Sequence, residues 1–424
     1  MGIGEEEVTV VIVGAGPSGL ATSACLKNFC IPNIILERED CCASLWKKKT
    51  YDRLKLHLAK EFCNLPLMPF PSDAPTYVPK DQFISYIDSY VSFFGIKPKY
   101  HRFVESASYD ATSKKWKICA KNANTYKVEV YVADFLVVAT GENSEGFIPK
   151  FPGQESFAGE LIHSSKYKSG SMYTNKNVLV VGSGNSGMEI AYDLYNHGAC
   201  TSIVVKSPFH VLTKWMVRLG MNLLNNFRIS WVDSVVTTMA NLRYGDLSKY
   251  GIPRPAQGPF LLKVTTGRSP VLDVGTVDAI VKGGIKVLPA ISSINKNNVV
   301  VANGEAHQFD VIIFATGYRS TATYWLKDYD GLLNKEGMPK HKFPDHWKGS
   351  NGLYCAGLAR TGLTGVNMDA RAVADDIKTL LTGNKNQFTG VPELQHIMIE
   401  KELLLSYCSL GWVSGNPSPL TYHQ

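Results

Sequence analysis

Four short runs rich in Val, Ile and Leu punctuate the chain, each closed by a glycine within three residues: Val8–Val13, Phe135–Val138, Val178–Val181 and Val311–Phe314. Runs of this length, apolar at successive rather than alternate positions, predict strands buried on both faces of parallel sheets. The first and third lead into helices, one running to Asn28 and the other to about His197, and second strands follow at Asn33–Leu36 and Ser202–Val205. The other two runs end alike, in Ala139-Thr140-Gly141 and Ala315-Thr316-Gly317, so Thr140, Gly141, Thr316 and Gly317 are expected near whatever the strand ends bind. Between Pro208 and Gly258 the apolar positions change to helical spacing, as in Trp215, Leu219, Leu223 and Trp231. That segment predicts helices packing on the second half, with a pocket wall or a membrane-surface contact left open. Beyond about Thr382 clear motifs cease, and Pro417–Gln424 reads as a loosely held terminus.

The turn after each leading strand carries the chemistry. Gly14-Ala15-Gly16-Pro17-Ser18-Gly19 and Gly182-Ser183-Gly184-Asn185-Ser186-Gly187 are two copies of one phosphate-cradling signature. The first glycine permits the tight turn, the second lets backbone approach a pyrophosphate, and the third lets helix pack on strand, with the helix N-terminus favouring the anion. Glu37 ends the second strand of the first unit; a carboxylate there accepts from ribose hydroxyls and repels a 2'-phosphate, which suits FAD or NAD. Lys206-Ser207 stands at the corresponding place in the second unit, a cation beside a hydroxyl, which suits the 2'-phosphate of NADPH. Two dinucleotides in one chain imply electron transfer between them. The expected fold is α/β with two Rossmann-like dinucleotide-binding domains, the NADPH domain inserted into the FAD domain, each sheet covered by helices on both faces. Residues 1–165 and 319–424 are expected to make the FAD domain, and 166–318 the NADPH domain.

Composition narrows the classes. At 424 residues, 45% hydrophobic and 19% charged, the chain reads as globular with large cores. Its net charge of +7 comes from scattered lysines, the densest run being Lys47-Lys48-Lys49, so nucleic-acid binding is not expected. Glu5-Glu6-Glu7 occupies the place of a basic leader region, and no apolar run approaches a bilayer span. Nine cysteines without regular spacing point to reduced thiols and a cytoplasmic protein. No CxxC and no ligand-spaced His/Cys cluster predicts a metal site. Cys41 and Cys42 are adjacent, which allows only a strained disulfide, so a thiol relay of the disulfide-reductase kind is disfavoured. Without a relay the reduced flavin needs another acceptor, and dioxygen is the obvious one.

The segment between the two units, Phe157-Ala158-Gly159-Glu160-Leu161-Ile162-His163-Ser164-Ser165-Lys166-Tyr167, matches the FxGxxxHxxx(F/Y) linker of flavin-dependent monooxygenases. With Ala43–Lys48, Tyr51–Leu58, Val138–Asn143, Gly245–Gly251, Pro270–Gly275 and Phe314–Ser320, the chain resembles the plant YUCCA family of flavin-containing monooxygenases over nearly its whole length. The resemblance implies oxidative decarboxylation of indole-3-pyruvate, a 2-oxo acid, to indole-3-acetic acid with NADPH and O2, through a C4a-hydroperoxyflavin, in auxin synthesis. N- or S-oxygenation of a small amine or thioether stays open as the alternative. It further implies Trp46 along the FAD, His57 near the flavin, His163 and Tyr167 at the hinge and nicotinamide side, and Gly357 opening the last FAD-contacting turn. The chain departs from many family members at Lys206, where Arg is usual, at Thr213-Lys214 in place of Pro-Arg, and along Arg360–Met368. Lysine keeps the charge of arginine but not its bidentate fork.

Overall fold

The computed structural model describes residues 5–383 except 343. Two sheets organise it. In the first, strands run in the order Asn33–Leu36, Glu5–Val13, Val128–Val138, Lys115–Asn122, Arg102–Asp110. Glu5–Val13 pairs in parallel with both neighbours, and the long strand Val128–Val138 changes partner along its length. Its first half pairs antiparallel with Lys115–Asn122, and its last residues pair in parallel with Leu353–Cys355, which returns from the far end of the chain. One face of this sheet packs on the helices Pro17–Asn28, Lys80–Phe93 and Gly362–Thr382 through Leu20, Ala24, Phe83, Tyr90, Ala370 and Val373. The other packs on a layer including Trp325, Leu332 and Leu333.

The second sheet is parallel throughout, in the order Ile285–Leu288, Cys200–Val204, Asn177–Val181, Val311–Phe314, Glu160–His163. The helix Asn185–Asn196 covers one face. The expectation of helices on both faces fails here: the opposite face is covered by an antiparallel ribbon, Ile291–Asn295, Asn298–Val301 and Ala306–Gln308. Ile294, Val299 and Val301 of the ribbon pack on Leu179, Val204 and Ile312 of the sheet.

The second sheet lies between residues 160 and 314, and the first takes its strands from both sides of that interval, so one unit is inserted in the other. The crossing comes earlier than residue 165, because Glu160–His163 is already an edge strand of the second sheet, paired with Val311–Phe314. Its partner lies about 150 residues away, beyond the reach of local pattern. The outgoing and returning connections run side by side as a two-stranded ladder, Tyr318 against Gly146 and Arg319 against Glu145.

The segment 208–258 forms the helices Lys214–Leu224 and Ile229–Tyr244, which share a small core with the helix Pro259–Thr266. The core uses Met216, Val217, Met221, Leu224, Val232 and Val236, with Leu58 and Phe62 of the first unit packed against it. The stripe read from the sequence is only partly inward: Trp215 and Trp231 are exposed, while Leu223 packs on the edge of the core. A helix apolar on most sides offers two stripes about 100° apart. Gly220 selects between them, since a Cβ there would stand 2.4 Å from Phe260 Cζ, so the helices close on the glycine side.

Candidate functional site

The two glycine-rich turns repeat each other's geometry at all three glycines. Gly14 has φ +109° and Gly182 has φ +114°, and a Cβ on either would lie 2.5 Å from Ala139 O or 2.4 Å from Ala315 O. At Gly19 and Gly187 a Cβ would stand 1.9 Å from the carbonyl oxygens of Gly14 and Gly182. These four glycines are therefore required by the fold itself. The middle pair differs in kind: Gly16 and Gly184 have ordinary negative φ, and a Cβ there would meet nothing within 4 Å. A glycine that neither φ nor packing demands, at a helix N-terminus with free N–H groups, is explained by the close approach of an anionic ligand.

Each cradle also has its expected surroundings. Glu37 is buried at the end of its strand; Ala15 N donates to its Oε2 at 2.7 Å and Glu39 N to its Oε1 at 2.9 Å. Both oxygens keep lone pairs for ribose hydroxyls. Thr140 Oγ1 is buried beside the first cradle without a hydrogen-bond partner, and Gly141 follows with φ +78°. Gly357, φ +72°, lies directly over Ser18: a Cβ would fall 2.0 Å from its Oγ. Its N–H donates to Asp369 Oδ2 at 2.8 Å, and Asp369 also meets His346 Nε2 at 2.8 Å, which fixes the turn. The residues present thus fit an FAD along the first unit. In the second, Val204 is level with Val181, which puts exposed Lys206 and neighbouring Ser207 at the same sheet edge as Gly182 and Ser183. That arrangement fits a phosphorylated dinucleotide.

Other expected residues divide between ligand side and scaffold. Trp46 packs on Phe83, ring centroids 4.4 Å apart, and lines a cleft of about 220 Å³ between the units. His57 and Asn143 line the same cleft from the first unit, Ser164 and Ser186 from the second, and Tyr318 from the returning connection. Asn185 is committed to scaffold, its Oδ1 accepting from Leu272 N at 2.7 Å. Tyr167, expected at the nicotinamide side, is fully buried with its hydroxyl donating to Asp193 Oδ2 at 2.6 Å, so it holds the second unit's helix rather than meeting a ligand. The Thr316 hydroxyl donates to Phe147 O and ties the two connections together.

His163, at the end of the edge strand Glu160–His163, is tied to the returning connection. Its Nε2–H donates to Gly317 O at 2.9 Å and its Nδ1 accepts from Ser165 N at 3.2 Å, a pattern that only the neutral ring satisfies. Gly146 makes the space: a Cβ there would lie 2.4 Å from His163 Nδ1. Burial lowers the pKa of this imidazole below its ordinary value, against the opposing pull of the Gly317 carbonyl. The unfolded chain therefore binds the proton more readily, and the stability this buried imidazole contributes is complete above about pH 6.5, the ordinary histidine value, and lost as pH falls below it. Thermal melts between pH 7.5 and 5 should show a fall in Tm that His163→Gln reduces; an unchanged slope in the variant contradicts this assignment.

Sequence reasoning missed a polar network that joins the units across the cleft. Tyr51 OH donates to Glu189 Oε2 at 2.8 Å, and His57 Nε2 stands 3.4 Å from Glu189 Oε1. That second approach has ion-pair distance without hydrogen-bond geometry. Burial works to raise the Glu189 pKa, but His57, the Tyr51 hydroxyl and, farther off, Lys214 outweigh it and hold the carboxyl below its usual range. The only local signal was an acid inside an apolar helix, between Met188 and Ile190. Arg218 to Glu61 at 2.6 Å and Lys168 Nζ to Lys48 O at 2.6 Å add further ties between the units. The eight described cysteines are all free, and burial pushes the thiols of Cys25 and Cys63 up to about 12, so neither is a ready thiolate. Among the described residues no His/Cys/carboxylate group could hold a metal ion, and no helix is long and apolar enough to cross a membrane.

Comparisons with known proteins agree with this geometry. The family model of flavin-binding monooxygenase-like proteins matches residues 7–386, and the chain belongs to that family and, within it, to the YUCCA group. It is 54% identical over 381 residues to the probable indole-3-pyruvate monooxygenase YUCCA10 of Arabidopsis thaliana, covering 90% of this chain and 100% of that one. It is 48% identical to the indole-3-pyruvate monooxygenase YUCCA1 of Oryza sativa subsp. japonica, covering 87% of this chain and 90% of that one. Among solved structures, a flavin-containing monooxygenase from Stenotrophomonas maltophilia matches with TM-score 0.67 at 19% identity, covering 89% of this chain and 99% of that one. The protein is a flavin-dependent monooxygenase with FAD as its cofactor.

Proposed function

We propose that this protein converts indole-3-pyruvate, NADPH, O2 and a proton into indole-3-acetic acid, CO2, NADP+ and water. The observation that carries the reading is the pair of matching cradles, one on each unit, with a cleft between the units lined by Trp46 and Asn143 on one side and Ser164, Ser186 and Tyr318 on the other. Its substrate is supported by the names of the YUCCA relatives above. When bound, FAD supplies the reaction with O2 and NADPH supplies the electrons.

The chain's own part is to hold and orient. Backbone around Gly16, with Glu37, Thr140, Gly141 and Gly357, holds FAD along the first unit, residues 5 to about 145 and from about 320 onward. Backbone around Gly184, with Lys206 and Ser207, holds NADPH on the unit between. Tyr51, His57 and Glu189 lock the loop 51–57 of the first unit onto the helix of the second, which fixes the distance between the two ligands. The helices after Pro208 pack with apolar side chains on Leu58 and Phe62, next in sequence to the cleft residue His57, and so brace that part of the first unit. A cytosolic setting is supported by the free cysteines.

Turnover with a panel of 2-oxo acids, CO2 being measured, tests the reading against its rival. Indole-3-pyruvate should give CO2 and indole-3-acetic acid in step with NADPH consumed. Oxygenation of an amine or thioether, with no acid formed from indole-3-pyruvate, would establish the N- or S-oxygenating alternative instead.

A further inference from the structure

Two cations and one carboxylate from three separate stretches of chain gather at the turn that leads from Gly141 to the cleft residue Asn143. Glu142 follows Gly141 and precedes Asn143, which lines the cleft. Arg360 comes three residues after Gly357, the glycine over Ser18. Lys263 belongs to the helix Pro259–Thr266, whose first N–H groups at Phe260 and Leu261 donate to Asp233 at 2.8 and 3.0 Å. The cations converge on Gly267, the residue that ends this helix. Lys263 Nζ donates to Gly267 O at 3.1 Å, and a Cβ on Gly267 would lie 3.1 Å from Arg360 Cδ and 3.4 Å from its Nη1.

The cluster is not closed on itself. Among the described residues neither Lys263 nor Arg360 has a carboxylate within 4.0 Å, and Glu142 Oε2 is buried with no hydrogen-bond partner. Arg360 is held at φ +58°, a conformation that costs a non-glycine residue energy and that persists where surroundings impose it. Charge is unbalanced by one positive unit. Burial pushes the Lys263 ammonium down and the Glu142 carboxyl up, so both ions carry desolvation that one more anion would offset on the cationic side.

We propose that Lys263 and Arg360 seat the carboxylate of a monoanionic 2-oxo acid, with Glu142 beside them limiting the site to a single negative charge. The inference rests on the 2-oxo acid reading above and adds the residues that select this substrate class over neutral amines and thioethers. A carboxylate fixed at its far end presents the adjacent 2-oxo carbon in one orientation, which is what a decarboxylating oxygenation requires of its substrate. Nothing in this role is covalent. The same cations could instead serve a phosphate of the coenzyme, and the test separates these anions.

The variants are Arg360→Gln, Lys263→Gln, Glu142→Gln and Arg360→Lys, each purified with flavin and its Tm recorded. Two binding measurements follow: perturbation of the flavin absorbance by indole-3-lactate, a redox-inert carboxylate, and anaerobic flavin reduction against NADPH concentration. Loss of either cation should weaken indole-3-lactate about 10–100-fold, the worth of hydrogen bonds to a charged group. Arg360→Lys should recover part of that loss, Glu142→Gln should tighten binding, and the NADPH dependence should stay within about twofold of wild type. Unchanged indole-3-lactate affinity in folded, yellow Arg360→Gln and Lys263→Gln would overturn the proposal, leaving Lys263 a helix-end contact only. A matching loss in the NADPH arm would overturn it in favour of the coenzyme. Wild-type protein that binds indole-3-lactate poorly and releases no CO2 from any 2-oxo acid would instead sink the functional reading itself.

Discussion

Gly16→Val should purify folded and colourless. At this position the protein asks for no glycine: φ is −73° and a Cβ would meet nothing within 4 Å. Valine therefore leaves the native packing alone and costs only the small propensity penalty of a β-branched residue near a helix end. It does project two methyl groups into the space before the first free N–H groups of the helix Pro17–Asn28, where a pyrophosphate must lie for those groups to reach it. FAD affinity should fall at least about 100-fold, roughly 3 kcal/mol. The contrast with its neighbours makes the result interpretable. Gly14→Ala and Gly19→Ala press on the carbonyls of Ala139 and Gly14 and should lower Tm as well as flavin content. Gly16→Val should lose flavin with the Tm of wild-type apoprotein, and full flavin content in this variant would show that the first cradle holds no dinucleotide.

Gly184→Val should stay yellow and become slow to reduce. Its backbone, φ −74° and ψ −176°, copies that of Gly16, and a Cβ again meets nothing within 4 Å. The two sites are separate turns on separate sheets, so the block acts on one ligand only. With NADPH at fixed concentration under anaerobic conditions, flavin reduction should slow by about 100-fold, and reduction by dithionite, which needs no binding site, should be unchanged. Colour lost in Gly184→Val and kept in Gly16→Val would exchange the assignments of the two cradles.

The parts of this protein that were legible in its sequence are those whose physical reasons are local. A strand, a tight turn and a helix start within six residues of each other dictate where glycines must stand, so both cradles, Glu37 and the Thr-Gly strand ends could be read directly. Trp46 and His57 both line the cleft between the units. What the sequence hid depends on distant partners. The edge strand Glu160–His163 takes its register from Val311–Phe314, which moved the crossing between units ahead of residue 165. Tyr167 carried a motif's weight yet proved to be core, because its partner Asp193 lies in a helix that the motif does not contain. Glu189 gave almost no sign of its place, since the groups that hold its charge, Tyr51 and His57, are more than a hundred residues earlier. In the helices after Pro208 two apolar stripes competed, and only the contact of Phe260 with Gly220 decided between them. The chain beyond Gly383, including the loosely held terminus expected from Pro417, lies outside the described residues.

Anaerobic stopped-flow mixing of the purified wild-type protein with NADPH, followed at the flavin absorbance, tests the central claim most directly. The account predicts protein that is yellow as isolated and bleaches in a single turnover, more readily with NADPH than with NADH. Folded protein that carries flavin and stays oxidised under saturating NADPH would contradict it.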